Sequence, residues 1–435
     1  MSVTLGEKKG VDTGRARERW PLIQRVAGNP GQLAKPSAGG STVAKQSQPE
    51  RADLNPPLLS LFLSFLRLGL TAFGGPAMIP YIRRLAVERN KWIDGESFRD
   101  GLAFCQTIPG ATAMQMAAYV GLKARGLAGA AVTFVGFGLP AFALMMVLSA
   151  LYVRTQDLPA VIAAFSGLQA VIVAIIANAA VMFGRTSLRG WKDALIGLAA
   201  AVAFLLGVNP ILTILLAAPA GVLLYWNEPF APRVASAAPS ESHARSLFLL
   251  LGAVALGFAL LLVWSPMLFD LATLMARIDL FAFGGGFTSV PLMYHEIVDV
   301  RHWMDGATFL NGIALGQVTP GPIVITATFV GYLLYGPLGG LVGTISVFTP
   351  SFLIVVGLAP YFDRLSEWPY FGKAIRGVSV SFVGLLLSVS VSFATHVLWD
   401  IPHLLLAAAA FAALLRRVEV LWVVVAATIV SVLVL

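Results

Sequence analysis

Arg67 and Arg277 each stand inside an apolar run, where an arginine costs about 2.5–3.5 kcal/mol to insert into a bilayer. Such a residue is a functional candidate by default, and its planar fork can hold two oxygens of an oxyanion. Each precedes a glycine-rich interruption by six residues: Phe73-Gly74-Gly75-Pro76 after the first, Phe283-Gly284-Gly285-Gly286 after the second. A glycine inside a helix costs about 1 kcal/mol relative to alanine, so paired glycines beside Pro or a third Gly predict broken helices. A break frees backbone N–H groups, which in lipid must be met by protein, water or a ligand. A half-helix N-terminus carries partial positive charge and free donors, which suits an anion. A second interruption follows in each case, Gln106-Thr107-Ile108-Pro109-Gly110 and Gln317-Val318-Thr319-Pro320-Gly321. Its Pro removes a donor and frees a carbonyl one turn back, and the Gln amide three residues earlier faces the same gap. Thr107 and Thr319 add hydroxyls there. This is chemistry for holding a small anion. The plainer readings are close helix packing through glycine, proline kinks, and arginines that snorkel or pair with an acid such as Asp279.

The two sets belong to an internal duplication. Arg67 and Phe73 recur 210 positions later at Arg277 and Phe283. Pro80, Trp92, Asp94, Gly95, Phe98, Gln106, Pro109 and Gly110 match Pro291, Trp303, Asp305, Gly306, Phe309, Gln317, Pro320 and Gly321. Beyond a one-residue slip, Gly121, Gly126, Gly129, Pro140 and Gly167 match Gly331, Gly336, Gly339, Pro350 and Gly377. Two long copies in an apolar chain are the pattern of membrane transporters, not of a solenoid.

Composition agrees. The chain has 435 residues, 57% hydrophobic and 12% charged, against about 25% charged in a soluble domain. Apolar runs recur from Pro56 to Leu435 and predict an all-α polytopic membrane protein with about 10–13 transmembrane segments. The expected organisation is a disordered cytoplasmic tail over 1–55, a first six-segment repeat over 56–226, a polar linker plus one unpaired segment over 227–268, and a second repeat over 269–435. Six, one and six segments make the repeats inverted. Placing the tail inside puts Lys123, Arg125, Arg185, Arg189, Lys192 and most later basic residues inside, as the positive-inside rule requires. Arg83, Arg84, Arg89, Lys91 and Arg99 break the rule; a re-entrant hairpin near the start would explain them and make the repeats parallel.

One cysteine, Cys105, excludes intramolecular disulfides and cysteine metal clusters, and five scattered histidines form no ligand pair. No metal or cofactor is expected. The net charge is +8, with nine of the thirty Lys/Arg in the first 51 residues, and reads as topology, not nucleic-acid binding. Phosphate-loop, nucleophile-elbow and zinc-protease patterns are missing, and nothing in the spacing positions a Ser and a His as nucleophile and base. Asp94 and Asp305, each after a Trp, read as helix N-caps. His295, Glu296 and Asp270 are candidates for proton coupling, although at a span end they read first as solvated charges.

The run FLRLGLTAFGGPAMIP, the later QTIPG, and their partners FAFGGGFTSVP and QVTPGP resemble the chromate ion transporter family in its long two-domain form. The likeness covers roughly residues 57–435. It implies a non-enzymatic inner-membrane protein that exports chromate and confers resistance, with sulfate as a competing or exchanged tetrahedral dianion. It makes Arg67, Phe73-Gly74-Gly75-Pro76, Gln106, Pro109-Gly110 and their second-half mates the signature positions. Gly286 departs from the expected Pro, and so does Ala111, whereas Pro322 keeps it. The partners expected are the oxyanion and the lipid bilayer; a homodimer is compatible, although two repeats in one chain suffice for transport. Sulfate uptake is the first rival reading, and a membrane enzyme acting on a lipid-linked substrate the second.

Overall fold

The computed structural model describes residues 56–72, 78–228, 241–362 and 368–435. The tail expected to be disordered lies outside the described residues. The described chain is helical, apart from one isolated bridge. The first repeat comprises α1 (Leu58–Thr71), α2 (Met78–Arg83) widening into a π turn over Arg84–Arg89, α3 (Gly95–Thr107), α4 (Thr112–Thr155), α5 (Pro159–Ser187), α6 (Trp191–Leu205) and α7 (Pro210–Leu224). Helix α8 (Glu241–Trp264) has no counterpart and begins inside the stretch expected to be a polar linker. The second repeat follows the same order: α9 (Pro266–Phe281), α10 (Gly286–Tyr294) with a π turn over His295–Val300, α11 (Gly306–Val318), a 3-10 turn (Ile323–Ile325), α12 (Thr326–Leu358), α13 (Pro369–Ala394), α14 (Ile401–Leu415) and α15 (Val420–Val434).

Among the described residues five segments are long and apolar enough to cross a bilayer: Thr112–Thr155, Pro159–Ser187, Leu247–Trp264, Ile323–Tyr361 and Pro369–Ala394. Four further apolar helices, α1, α7, α14 and α15, are shorter. Large apolar side chains such as Leu198, Leu216, Val263 and Leu433 point outward, as they do where lipid is the solvent. This is a multi-pass membrane protein.

Glycine decides how the chain turns. In α4 the helix folds back at Arg125 and Gly126, where Gly126 takes φ +61°. The two limbs then touch, because a Cβ on Gly121 would run into the Gly129 carbonyl. The Thr133 hydroxyl donates across the limbs to the Ala117 carbonyl at 2.8 Å. Helix α12 repeats this at Tyr335 and Gly336, with Gly331 against Gly339. The Gln-x-x-Pro-Gly stretch doubles the chain back too. Gly101 lies under the Tyr119 ring, so α3 packs on the first limb of α4, and Gly312 lies under Phe329 in the second repeat. Each Pro-Gly is thus the tip of a helical hairpin.

The repeats interlock. Helix α5 packs against α14 and α15 of the other repeat, and α13 reciprocally against α6 and α7. The pairs α4–α12 and α5–α13 join the repeats through like elements. Small residues permit the approach: a Cβ on Gly377 would meet the Ala217 carbonyl, and one on Gly384 the Gly197 carbonyl.

Both expected N-caps are present. Asp94 accepts from the N–H groups of Glu96 and Ser97 at 2.9 and 2.8 Å, and Asp305 from that of Thr308 at 2.8 Å. The backbone and hydroxyl bonds from Ser97 hold the Asp94 carboxyl below the ordinary carboxylate range.

Candidate functional site

The interruptions of the two repeats cross. The hairpin tip at Pro109 pairs in antiparallel fashion with Phe283, and the Gly110 N–H donates to the Ala282 carbonyl at 2.9 Å. Reciprocally, the Gly321 N–H donates to the Ala72 carbonyl at 3.1 Å. Backbone groups freed by Pro and Gly in one repeat are therefore met by those freed in the other. Gly284 and Gly285 hold φ +93° and +102°, and Gly110 and Gly321 +113° and +117°, a region open to glycine and strained for other residues.

Helix N-termini converge where Gly285 gives way to α10. Gly285 caps α10 with no side chain, and α4 likewise begins at Ala111 without a side-chain cap. The Thr112 hydroxyl lies 3.3 Å from the place a Cβ on Gly285 would occupy. The Ile323 N–H, which opens the 3-10 turn before α12, lies 3.9 Å from the equivalent point on Gly286. A Cβ there would also lie 3.2 and 3.4 Å from the Val324 and Ile323 side chains, so the space at Gly286 is narrow. Three N-termini from both repeats thus surround one glycine pair, with Phe183 packed against Gly284.

The other expected residues are placed as follows. Phe73, Gly74, Gly75 and Pro76 lie outside the described residues. Thr107 and Thr319 have their hydroxyls occupied, donating to the carbonyls of Ala103 and Gly316 at 2.7 and 2.9 Å. Gln106 is exposed, whereas Gln317 is half-buried and its Nε2 has no partner. Pro320, with Gly321, is fully buried at the second tip. Arg67 is exposed on the face of α1 turned away from buried Phe65 and Gly69, and its guanidinium has no partner among the described residues. Arg277 is half-buried and pairs with Glu296 at 2.6 Å. Arg301 approaches the same carboxylate at 3.7 Å, bonds Asp270, and lies over the Trp303 ring. Glu296 is thus a buried member of an ion-pair network, not a solvated charge at a span end.

Asp279 does not pair with Arg277. Its Oδ2 accepts from the N–H and hydroxyl of Ser351 at 2.9 and 2.7 Å, and the Ser351 Oγ in turn accepts the Ala111 N–H at 3.2 Å. Gln115, fully buried beside it, donates to the Pro109 carbonyl. Sequence reasoning missed Ser351 and Gln115. The available signal was an acid at 279 where the first repeat has Gly69.

One constellation was not visible in the spacing. The Ser166 hydroxyl lies 2.9 Å from His403 Nε2, and His403 Nδ1 lies 2.6 Å from Asp400, the order of a nucleophile, base and acid. Its other duties are structural: Asp400 caps α14 by accepting the His403 N–H at 3.0 Å. By the 210-residue offset Ser166 corresponds to Arg376 and His403 to Asp193, and that pair is a fork of two bonds at 3.0 and 2.9 Å. Both are ties between α5 or α13 and the opposite repeat.

The basic cluster that broke the positive-inside rule also has a place. Arg83, Arg84 and Arg99, with Glu88 and Phe98, line an open groove of about 640 Å³ between α2 and α3. The matching hairpin, α10–α11, is packed into the bundle: α11 against α5 and α15, and α10 against α13. Among the described residues no group of three or more metal-ligating side chains occurs.

The sequence model of the family described as chromate transporter matches residues 59–222 and again 269–432. The chain belongs to the chromate transporter family. It is 41% identical to an uncharacterised transporter of Methanocaldococcus jannaschii over 384 residues, 88% of this chain and 95% of that one. It is 32% identical to the chromate transport protein of Cupriavidus metallidurans over 365 residues, 82% of this chain and 88% of the other. The chromate transport protein of Pseudomonas aeruginosa is 32% identical over 377 residues, 82% of this chain and 87% of that relative. No solved structure matches. The two family matches coincide with the two structural repeats and leave α8 between them.

Proposed function

We propose that this member of the chromate transporter family is a secondary transporter that exports chromate across a bacterial inner membrane and so confers resistance, with its N-terminus in the cytoplasm. The observation that carries the reading is the convergence of uncapped N-termini of α4, α10 and the 3-10 turn on Gly285 and Gly286. Backbone donors at three helix starts favour a small anion, and a tetrahedral oxyanion can accept from several directions at once. The basic groove at Arg83, Arg84 and Arg99 would gather anions toward α2 and α3. Arg67 is then an approach residue, and Arg277 with Gln317 borders the pathway. The repeats are inverted in this reading. The packed α10–α11 hairpin and the open α2–α3 groove are then the two halves of an alternating-access cycle.

Energy need not come from a nucleotide. An interior-negative potential is worth about 2.3 kcal/mol per charge per 100 mV, hence about 4.6 for a dianion, more than a thousandfold gradient. Labelled chromate should accumulate in everted vesicles when the potential is imposed, and excess sulfate should compete. Accumulation indifferent to both would end this reading. Sulfate uptake is the second reading, favoured by Asp279, because import of a dianion against the potential requires a coupling ion and Asp279 is a buried acid.

A further inference from the structure

Asp279 stands at one of two related crossings and has no counterpart at the other. The repeat offset places Gly69 opposite Asp279 and Ala141 opposite Ser351. The second crossing, Gly321 to Ala72, forms without an acid or a hydroxyl at those positions. The backbone crossing therefore does not require Asp279. A fully buried carboxyl in a membrane protein is expensive to keep, and such residues mark ion and proton pathways.

The local hydrogen bonding is one-sided. Oδ2 of Asp279 receives both donors of Ser351, while Oδ1 is buried without any partner. Gln115 repeats the pattern: Nε2 donates to the Pro109 carbonyl, and Oε1 is buried without a donor. Ser351 and Gln115 converge on the same side of Gly110, since a Cβ there would run into the Ser351 hydroxyl and lie 2.7 Å from Gln115 Nε2. The cluster thus holds two orphaned acceptors and no spare donor. A proton on Oδ1 would turn one of those acceptors into a donor.

The neighbouring charges are engaged elsewhere. On α9 itself, Arg277 pairs with Glu296, and Asp270 with Arg301. On α10 and its π turn, His295 pairs with Asp299, and the Tyr294 hydroxyl faces His396. Helix α12 offers Tyr332 and Tyr335, and residues 247–264 of α8 carry no titratable side chain. Helix α4 carries Tyr119, Lys123, Arg125, Tyr152 and Arg154, with Lys123 over the Tyr119 ring and the Tyr152 hydroxyl accepting from Asn311. Asp279 bonds none of these groups; its partner is Ser351.

The link to the anion runs through one chain of bonds. The Ala111 N–H, at the start of α4, donates to Ser351 Oγ, whose hydroxyl donates to Asp279. An anion at the converging N-termini and a charged Asp279 would draw on the same donors and repel each other. We infer that Asp279 is the proton site of this transporter, and that a proton binds together with the anion and travels with it, so that one net negative charge crosses and the potential drives export half as strongly as it would a bare dianion. The inference rests on the anion reading given above. Only a proton moves: Oδ1 gains it from water as the anion binds and returns it to water on release.

The test uses the full chain in detergent with weak buffer and a pH-indicating dye. Addition of sulfate or chromate to the wild type should alkalinise the medium by up to one proton per bound anion. Asp279→Asn should abolish that uptake. Ser351→Ala keeps the acid and removes a donor to its charged form. A charge-assisted hydrogen bond of about 1.5 kcal/mol corresponds to roughly one pH unit. The pH of half-maximal uptake should therefore rise by about one unit, and this variant decides the matter if Asp279→Asn does not fold. Anion binding without proton uptake, a requirement for sodium in its place, or an unmoved profile in Ser351→Ala would each overturn the inference while leaving the anion site standing. Failure of either anion to bind would remove the anion reading itself.

Discussion

At one crossing the Gly110 N–H meets the Ala282 carbonyl within reach of Ser351, Gln115 and Asp279. At the other the Gly321 N–H meets the Ala72 carbonyl, and its near neighbour is the methyl of Ala141. The same backbone solution is used twice, because interrupted helices in lipid must give their freed N–H and C=O groups partners. Side chains differ because only one crossing has been loaded with ionisable chemistry. Duplication supplied a scaffold with two equivalent seats, and a seat that need not be filled for folding is free to be filled for function.

The sharpest way to break this comparison is to fill each tip. Gly110→Ala places a methyl on the Ser351 hydroxyl at a strained φ of +113°, whereas Gly321→Ala meets only the Ala141 methyl at 2.8 Å with φ +117°. Backbone strain costs about 1–3 kcal/mol at each and each methyl crowds a neighbour, but at Gly110 it also displaces the Ser351 hydroxyl from its bonds with Asp279 and Ala111. Gly110→Ala should lose transport and unfold at markedly lower temperature; Gly321→Ala should lose less of both. Equal losses would mean that the polar cluster does not set the first crossing apart.

A second pair tests the ties between repeats. Arg376 forks onto fully buried Asp193, which also accepts from Tyr225, and Arg376 reaches Glu228 at 2.6 Å. Its positional equivalent Ser166 holds one bond to His403. Arg376→Ala leaves a buried carboxylate short of its cation and should cost about 3 kcal/mol, read as a drop in unfolding temperature. Ser166→Ala should cost about 1 kcal/mol. If instead Ser166 reacted with a serine-directed fluorophosphonate, the tie would have to be read as a catalytic triad.

These contrasts also mark what could be read from the chain. The repeat is legible as matched short motifs, and the Phe283–Gly286 and Pro-Gly interruptions and the Asp94 and Asp305 caps are each written in adjacent residues. The doubling back at Pro109-Gly110 was less legible, since a Pro-Gly pair can kink a span or reverse it, and only Gly101 beneath Tyr119 decides. Partners far apart in sequence were hidden altogether: Asp279 meets Ser351 across 72 positions, and Ser166 meets His403 across 237. Arg277 illustrates the limit. Asp279 is two residues away, on a different side of the helix, and the arginine reaches Glu296 in the π turn after α10 instead.

The two arginines with which the repeats begin make a third contrast. Arg277→Ala would leave the buried Glu296 with Arg301 alone, and should destabilise by about 1–2 kcal/mol after allowance for the arginine's exposure. Arg67→Ala removes no pair and should leave unfolding within about 0.5 kcal/mol of the parent. In transport the order should reverse: an exposed, unpaired Arg67 acts through attraction, so its removal should raise KM, and most at low salt. A KM unmoved at low salt would assign Arg67 to the lipid interface.

The caps give the smallest effect and the strictest check on symmetry, because here the repeats agree. Asp94→Ala and Asp305→Ala each remove the bonds that satisfy the first N–H groups of α3 and α11, and each should cost about 1 kcal/mol. Both carboxyls sit below their ordinary range. For Asp94 the cause is the Ser97 backbone and hydroxyl bonds; for Asp305 burial opposes the shift, and the Thr308 bonds outweigh it. A lowered folded value means the stabilisation is fully present above the unfolded carboxyl pKa, about 3.9, and fades as pH falls through the folded one. Unfolding temperatures of the two variants should therefore converge on the parent's in acid. A large inequality between them near neutrality would mean that α3, bordering the open groove, and α11, in the packed hairpin, differ in how firmly they are held and not only in what they hold.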